Sequence, residues 1–247
     1  MLKQAEIAEL QKWFTEYVHS FYSADPDVQE HILLKEQHTR QVVENSRDLS
    51  RQLGLDAPEQ QLAELIGLFH DVGRFKQYSV YRTFVDSQSE DHAALGLKEI
   101  AGLTLLNGLS LKERQYFNFA IGCHNKIEIP PRAAAGQRLF AKIIRDADKL
   151  DVFRVLSAYL TPPVGDGVSP AILRDFLQGR QCNFTDVRTV DDRKLVRLSW
   201  IYDVNYSWTL RHIMDKNYVE QILTCLPDTP EIKQAENRLS SYIAAKL

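Results

Sequence analysis

Residues 56–71 read DAPEQQLAELIGLFHD, and this stretch sets how the rest of the chain is read. Gly54 stops the segment before it. Asp56 then supplies a side-chain cap, and Pro58 falls in the first turn, where its missing N–H removes no hydrogen bond. The run AELIGLF is too apolar for a surface helix, and it ends on His70-Asp71, where side chains at a C-terminal turn can converge on a cleft. The three- and four-residue apolar spacing recurs along the chain, while sustained alternation is hard to find. It predicts helices over about 3–23, 28–54, 59–71, 90–107, 111–123, 137–160, 169–178, 205–225 and 230–246. The expected fold is therefore all-α.

Two segments break the pattern. Residues 72–89, VGRFKQYSVYRTFVDSQS, are polar and punctuated by aromatics, which predicts a long loop of the kind that often carries function. Residues 161–170, TPPVGDGVSP, are rich in proline and glycine and are the best candidate boundary. That divides the chain into a helical core over 1–160, including an N-terminal helix, and a mostly helical C-terminal extension over 161–247. Within the extension, RTVDDRKLVRLSWIYDV at 188–204 fits a hairpin or a helix. The aromatic stretch SWIYDVNYSW suits either a cap over a cleft or the surface of a homodimer.

Composition excludes more than it names. With 247 residues, 44% of them hydrophobic, the chain can bury a substantial core. Thirty basic residues against 33 acidic ones leave a net charge of −3, which gives no broad field for gripping a nucleic-acid backbone. Cys123, Cys182 and Cys225 are widely spaced and odd in number, so they suggest neither a disulfide framework nor a CxxC metal site. The N-terminal MLKQAEIAELQKWF mixes charges into its apolar residues, unlike a signal peptide, and no apolar run reaches membrane-spanning length. A soluble protein of the reducing cytoplasm, without membrane contact, is expected.

The histidines are what does not look average. On a helical wheel His38 shares the face of Leu34, Val42 and Leu49, and His124 follows that of Phe117, Ala120 and Ile121, so both point inward. A single inward histidine is usually a satisfied core residue. Here His38, His70-Asp71, His92 and His124 follow one another on or at the end of separate predicted helices, and Asp148 comes next within IIRDADKLDVF. His19, His31 and His212 have no place in this series. Asp146, Asp148 and Asp151 compete for its last position, and the wheel decides among them only in part.

This order resembles the HD-domain metal-dependent phosphohydrolase superfamily, whose H…HD…D signature is carried on a helical bundle. The likeness spans about residues 30–160. The two histidines between HD and the last aspartate are similar to those of binuclear members, among them the HD-GYP cyclic-dinucleotide phosphodiesterases. However, HDVGR stands where those enzymes have HDxGK, CHNK where they have HHE, and no GYP follows, so a cyclic-dinucleotide substrate is not implied. The stretch RFKQYSVYRTFVDSQSEDHAALG also resembles a bacterial HD subgroup.

The resemblance implies a first metal held by His38, His70, Asp71 and Asp148, and a second to which His92 and His124 contribute. Asp71 would bridge them. Asp148 is chosen because the family's Ala-Asp-basic-Leu string matches Ala147-Asp148-Lys149-Leu150; Asp151 would then orient a ligand or pair with Arg154. Arg74 stands where related enzymes carry a lysine, and its planar fork suits phosphate oxygens. Lys142, Arg145 and Lys149 lie on the Asp148 helix, the first two most simply on a solvated face. Tyr78, Tyr81 and Phe84 can either stack a nucleobase or pack their own loop.

Imidazole with carboxylate suits one or two divalent transition metal ions, Mn, Fe, Co, Ni or Zn, better than Mg alone. Such ions make water a nucleophile at neutral pH and absorb phosphoryl charge. The implied activity is metal-dependent hydrolysis of a small phosphorylated metabolite, such as a nucleotide. The same ligand set also serves mixed-valence di-iron oxygenases of this superfamily, and a metal-stabilised ligand-sensing domain would keep it too.

Overall fold

The computed structural model describes residues 2–163 and 167–247. Among the described residues the elements are α-helices and short 3-10 turns, with no strand. The chain divides into two compact units, one ending at Asp148 and the other beginning at Lys149. The proline- and glycine-rich segment 161–170 falls in the second unit, and its residues 164–166 lie outside the described ones.

The first unit is built from α1 (Gln4–His19), α2 (Pro26–Gln52), α3 (Ala57–Phe69), α4 (Val72–Tyr81), α5 (His92–Glu99), α6 (Leu111–Cys123) and the greater part of α7 (Ala135–Ser157). Local chemistry fixes where these helices start. The Asp25 side chain accepts from the Asp27 and Val28 amides at the head of α2, and reciprocal boxes, Asp56 with Glu59 and Ser110 with Glu113, open α3 and α6. α2 packs on α3 and α4, and α6 packs on α3 and α5. Their apolar faces meet in a core that includes Phe14, Ile32, Val42, Leu49, Ile66, Phe69, Phe75, Phe117 and Ile144. Asn45, two turns after His38, ties α2 to α7 by donating to the Ala147 carbonyl at 3.0 Å.

Residues 72–81 differ from the expected loop: they form α4. Val72, Phe75 and Tyr78 are buried at three-residue spacing, so what reads as aromatic punctuation is a helical stripe. Gln77 is buried on α4 as well, because its amide is fully used: it donates to Asp86, Ser89 and the Glu90 carbonyl and accepts from Arg74. The helix ends at Arg82, which takes a left-handed conformation (φ 55°) and pairs with Asp25 at 2.8 Å. The 90–107 helix is also shorter than expected. It closes at Glu99, and a 3-10 turn, Thr104–Gly108, follows.

The second unit holds the end of α7 with α8 (Pro170–Leu177), α9 (Val190–Ser199), α10 (Ser207–Asp215), α11 (Tyr218–Leu223) and α12 (Pro230–Lys246). The ambiguous 188–204 stretch resolves into α9 and a 3-10 turn at Trp200–Asp203. The expected 205–225 helix is two helices, broken by Asn217 at φ 55°, a residue that tolerates this conformation. Phe153, Phe176, Leu195, Leu198, Ile213, Ile222 and Leu239 form the core, with Trp200 and Tyr202 packed against it. Lys194 is buried there, its ammonium shared among Asp191, the Pro162 carbonyl and the Cys225 carbonyl at 2.7–3.2 Å. The three cysteines are free thiols.

Candidate metal centre

The HD dipeptide occupies a joint between two helices. His70 is the last residue in helical conformation after α3, and Asp71 (φ −107°, ψ 13°) breaks the helix before α4 begins. His92 opens α5 behind the cap Asp91, and His124 caps the end of α6. Only His38 and Asp148 come from within long helices, α2 and α7. Helix ends leave backbone groups unused by the helix, and here they also free side chains to turn inward.

A close backbone approach sets α4 against α5. A Cβ on Gly73 would collide with the His92 carbonyl oxygen and lie 2.6 Å from the Gly96 nitrogen, so only glycine lets the two backbones touch. That approach brings Asp71 to His92.

The six donors lie together. Asp71 Oδ2 is 3.5 Å from His38 Nε2 and 3.6 Å from His70 Nε2, while Asp71 Oδ1 is 3.3 Å from His92 Nε2 and 3.5 Å from His124 Nε2. Asp148 Oδ1 joins the first side, 3.1 Å from His38 Nε2 and 3.9 Å from His70 Nε2. Two clusters of possible ligands, His38–His70–Asp71 and Asp71–His92–His124, thus share one carboxylate. All but Asp148 are buried.

The hydrogen bonds behind the imidazoles define which nitrogen faces the cluster. His70 Nδ1 lies 2.8 Å from the Gly67 carbonyl and His124 Nδ1 lies 2.7 Å from the Ile121 carbonyl. A carbonyl only accepts, so each Nδ1 donates a proton to it and each Nε2 is the ring atom turned to the cluster. His92 Nδ1 is held in the same way by the Asp86 carboxylate, at 2.8 and 2.9 Å. Burial pushes both His70 and His92 down to about 4, so both rings are neutral at pH 7.

Two observations fit this set to metal ions. His70 Nε2 is buried with no hydrogen-bond partner. The Nε2 atoms of His92 and His124 stand 3.0 Å apart beside Asp71 Oδ1, a nitrogen pair with a carboxylate oxygen of the kind a divalent cation takes. The aspartates suit a cation equally. Burial raises the Asp71 carboxyl, but the charges around it, that of Lys35 first, outweigh it and hold it well below the usual carboxylate range. Asp148 is likewise lowered against its burial, through His38.

Other residues singled out by the sequence have different surroundings. Arg74 reaches to 3.6 Å from Asp71 Oδ1, but its Nη1 is occupied by Gln77, the Phe84 carbonyl and Asp86. It pins segment 82–91 onto α4. Arg145 is not on a solvated face: it is buried, donating to the carbonyls of Cys123, His124, Lys126 and Ile127, and so fixes the end of α6 that presents His124. Asp151 pairs with Arg154 at 2.5 Å, and Lys149 with Asp203 at 2.5 Å. Tyr78 and Phe84 pack on each other and on His31, while Tyr81 is exposed.

Two participants leave little or no trace in the sequence. Lys35 contacts Asp71 Oδ2 at 2.7 Å, and Asp86 orients His92. The spacing Lys35-x-x-His38, one turn on one helix face, was the available signal for the first. Asp86 had none, since its partners are drawn from α4, α5 and Asn125.

Residues 36–152 match the family model for the HD domain. No curated protein and no solved structure matches the chain significantly.

Proposed function

Because residues 36–152 match the HD-domain model and carry its histidines and aspartates, we propose that the chain is a metal-dependent phosphohydrolase acting on a small phosphorylated metabolite, such as a nucleotide or related phosphate ester. One observation carries the reading: the two oxygens of Asp71 face two separate pairs of imidazole nitrogens. His38, His70, Asp71 and Asp148 would hold one divalent ion, and Asp71, His92 and His124 a second. Ions so held supply a water activated to attack phosphorus at neutral pH and positive charge for the phosphoryl oxygens.

The chain's own residues prepare that chemistry. Asp86, the Gly67 carbonyl and the Ile121 carbonyl each lock one imidazole in the tautomer that turns Nε2 inward. Burial keeps His70 and His92 neutral and excludes water that would compete for the donors. Asp148, with its side chain 23% exposed, is the donor most open to solvent and to an entering phosphate. The mixed nitrogen and oxygen donors favour Mn, Fe, Co, Ni or Zn over Mg.

Metal analysis of protein purified without chelator, followed by a phosphate-release screen over nucleotides and simple phosphate esters with Mn, Co and Ni, tests this. Phosphate release that needs one of these metals is expected. Two irons with a mixed-valence signal and no phosphate release with any metal would overturn it in favour of oxygen chemistry. Among the described residues no helix is long and apolar enough to cross a membrane.

A further inference from the structure

The side chain closest to the shared carboxylate is a cation. Lys35 lies one turn before His38 on α2, and its ammonium stands 2.7 Å from Asp71 Oδ2, the oxygen that also faces His38 and His70. The side chain is mostly buried, at 16% exposure, and the ammonium is 5.4 Å from the centre of the Phe84 ring. A cationic donor therefore occupies the oxygen that the first metal ion needs.

We propose that Lys35 is a displaceable counter-ion of the metal centre. It neutralises Asp71 before an ion arrives, gives up Oδ2 to that ion, and then offers its ammonium to the phosphate group of the substrate. Only this last role rests on the phosphohydrolase reading.

The argument is one of charge and reach. A divalent ion bound to Asp71 Oδ2 at about 2.0–2.2 Å and an ammonium bonded to the same oxygen would sit within a few ångströms of each other, and their repulsion outweighs one charge-assisted hydrogen bond. One of them must leave. Lysine can, because its charge rides on a flexible four-carbon stem, and the Phe84 face gives the ammonium a neighbouring place to rest. Arg74, the other cation at this carboxylate, has its Nη1 tied to Gln77, the Phe84 carbonyl and Asp86. Among the described residues, Lys35 is thus the cation of the pair whose only anionic hydrogen-bond partner is the metal ligand itself. Once that partner is taken, phosphate oxygens held beside the ions are the next anion within its reach.

Lys35→Met and Lys35→Gln remove the charge while keeping an unbranched stem. Calorimetric titration with Mn²⁺ is expected to show about tenfold tighter binding in both variants, as expected from loss of a competing charged hydrogen bond. With Mn²⁺ saturating, inorganic phosphate is expected to bind about tenfold more weakly to both, and Lys35→Arg is expected to restore most of that loss. Mn²⁺ affinity that is unchanged or lower in Lys35→Met and Lys35→Gln, with the helical circular dichroism retained, overturns the counter-ion role. Unchanged phosphate affinity overturns the substrate role. Wild-type protein that takes up no divalent ion overturns the metal centre itself, and this inference with it; wild-type that binds Mn²⁺ while the variants bind no tighter overturns this inference alone.

Discussion

Asp71 divides its two carboxylate oxygens between two pairs of imidazoles, so its loss differs in kind from the loss of any one histidine. Asp71→Ala is expected to empty both metal positions and abolish phosphate release, while His92→Ala is expected to spare the side held by His38 and His70. Metal content by elemental analysis separates the two; an Asp71→Ala protein that retains metal and the parent rate shows that the centre is elsewhere. The helical spectrum should survive, because neither change touches the apolar core. At this scale much of the site is legible in sequence order: the four histidines of the ordered series and both aspartates lie together. Lys35 and Asp86 escape such reading because their significance comes from contacts to residues 36 and 6 positions away that no local period encodes.

Helices are legible where one face is apolar and capped, and less so where burial is shared with polar groups. α3 shows the first case, with its cap, proline and apolar run. α4 shows the second: its face includes Gln77, satisfied by partners as far away as Glu90, and glycine at its head argues against a helix until α5 is seen lying against it. That contact yields a prediction. Gly73→Ala inserts a methyl group between two backbones that cannot part without moving Asp71 from His92. A loss of about 1–3 kcal/mol in stability is expected, together with weaker binding of the second metal ion than of the first; thermal unfolding and metal stoichiometry report the two effects. In α9 the Asp192 carboxylate accepts from the amides of Ser169, Arg188 and Thr189 and from the Ser169 hydroxyl at 2.6–3.1 Å. Burial raises this carboxyl, but the hydrogen bonds prevail and hold it below its ordinary value. Its stabilisation is therefore complete above the unfolded value near about 4 and fades as pH falls through the lower, folded value. Asp192→Asn is expected to cost about 2 kcal/mol at pH 7 and progressively less as pH drops below about 4. Equal losses at pH 7 and pH 2 would show that charge is not the cause.

Across the whole molecule, composition alone describes an ordinary chain with a net charge of −3, and the all-helical fold follows from its apolar period. What composition conceals is the concentration of four imidazoles and two carboxylates around one point, assembled from α2, α5, α6, α7 and the α3–α4 joint. In the proposed two-ion centre, a carboxylate shared in this way would also tie the ions to each other. The first to bind draws on the charge of Asp71 and leaves the other a weaker donor, while also fixing the carboxylate in place. The two affinities are consequently linked by a single coupling free energy, the same whichever position fills first. When the loss of charge dominates, a Mn²⁺ titration separates into two steps, and His92→Ala leaves only one. The number of ions per chain would then be set by the free metal concentration, so that occupancy, and with it the readiness of the proposed centre to act, would follow the supply of metal around the protein.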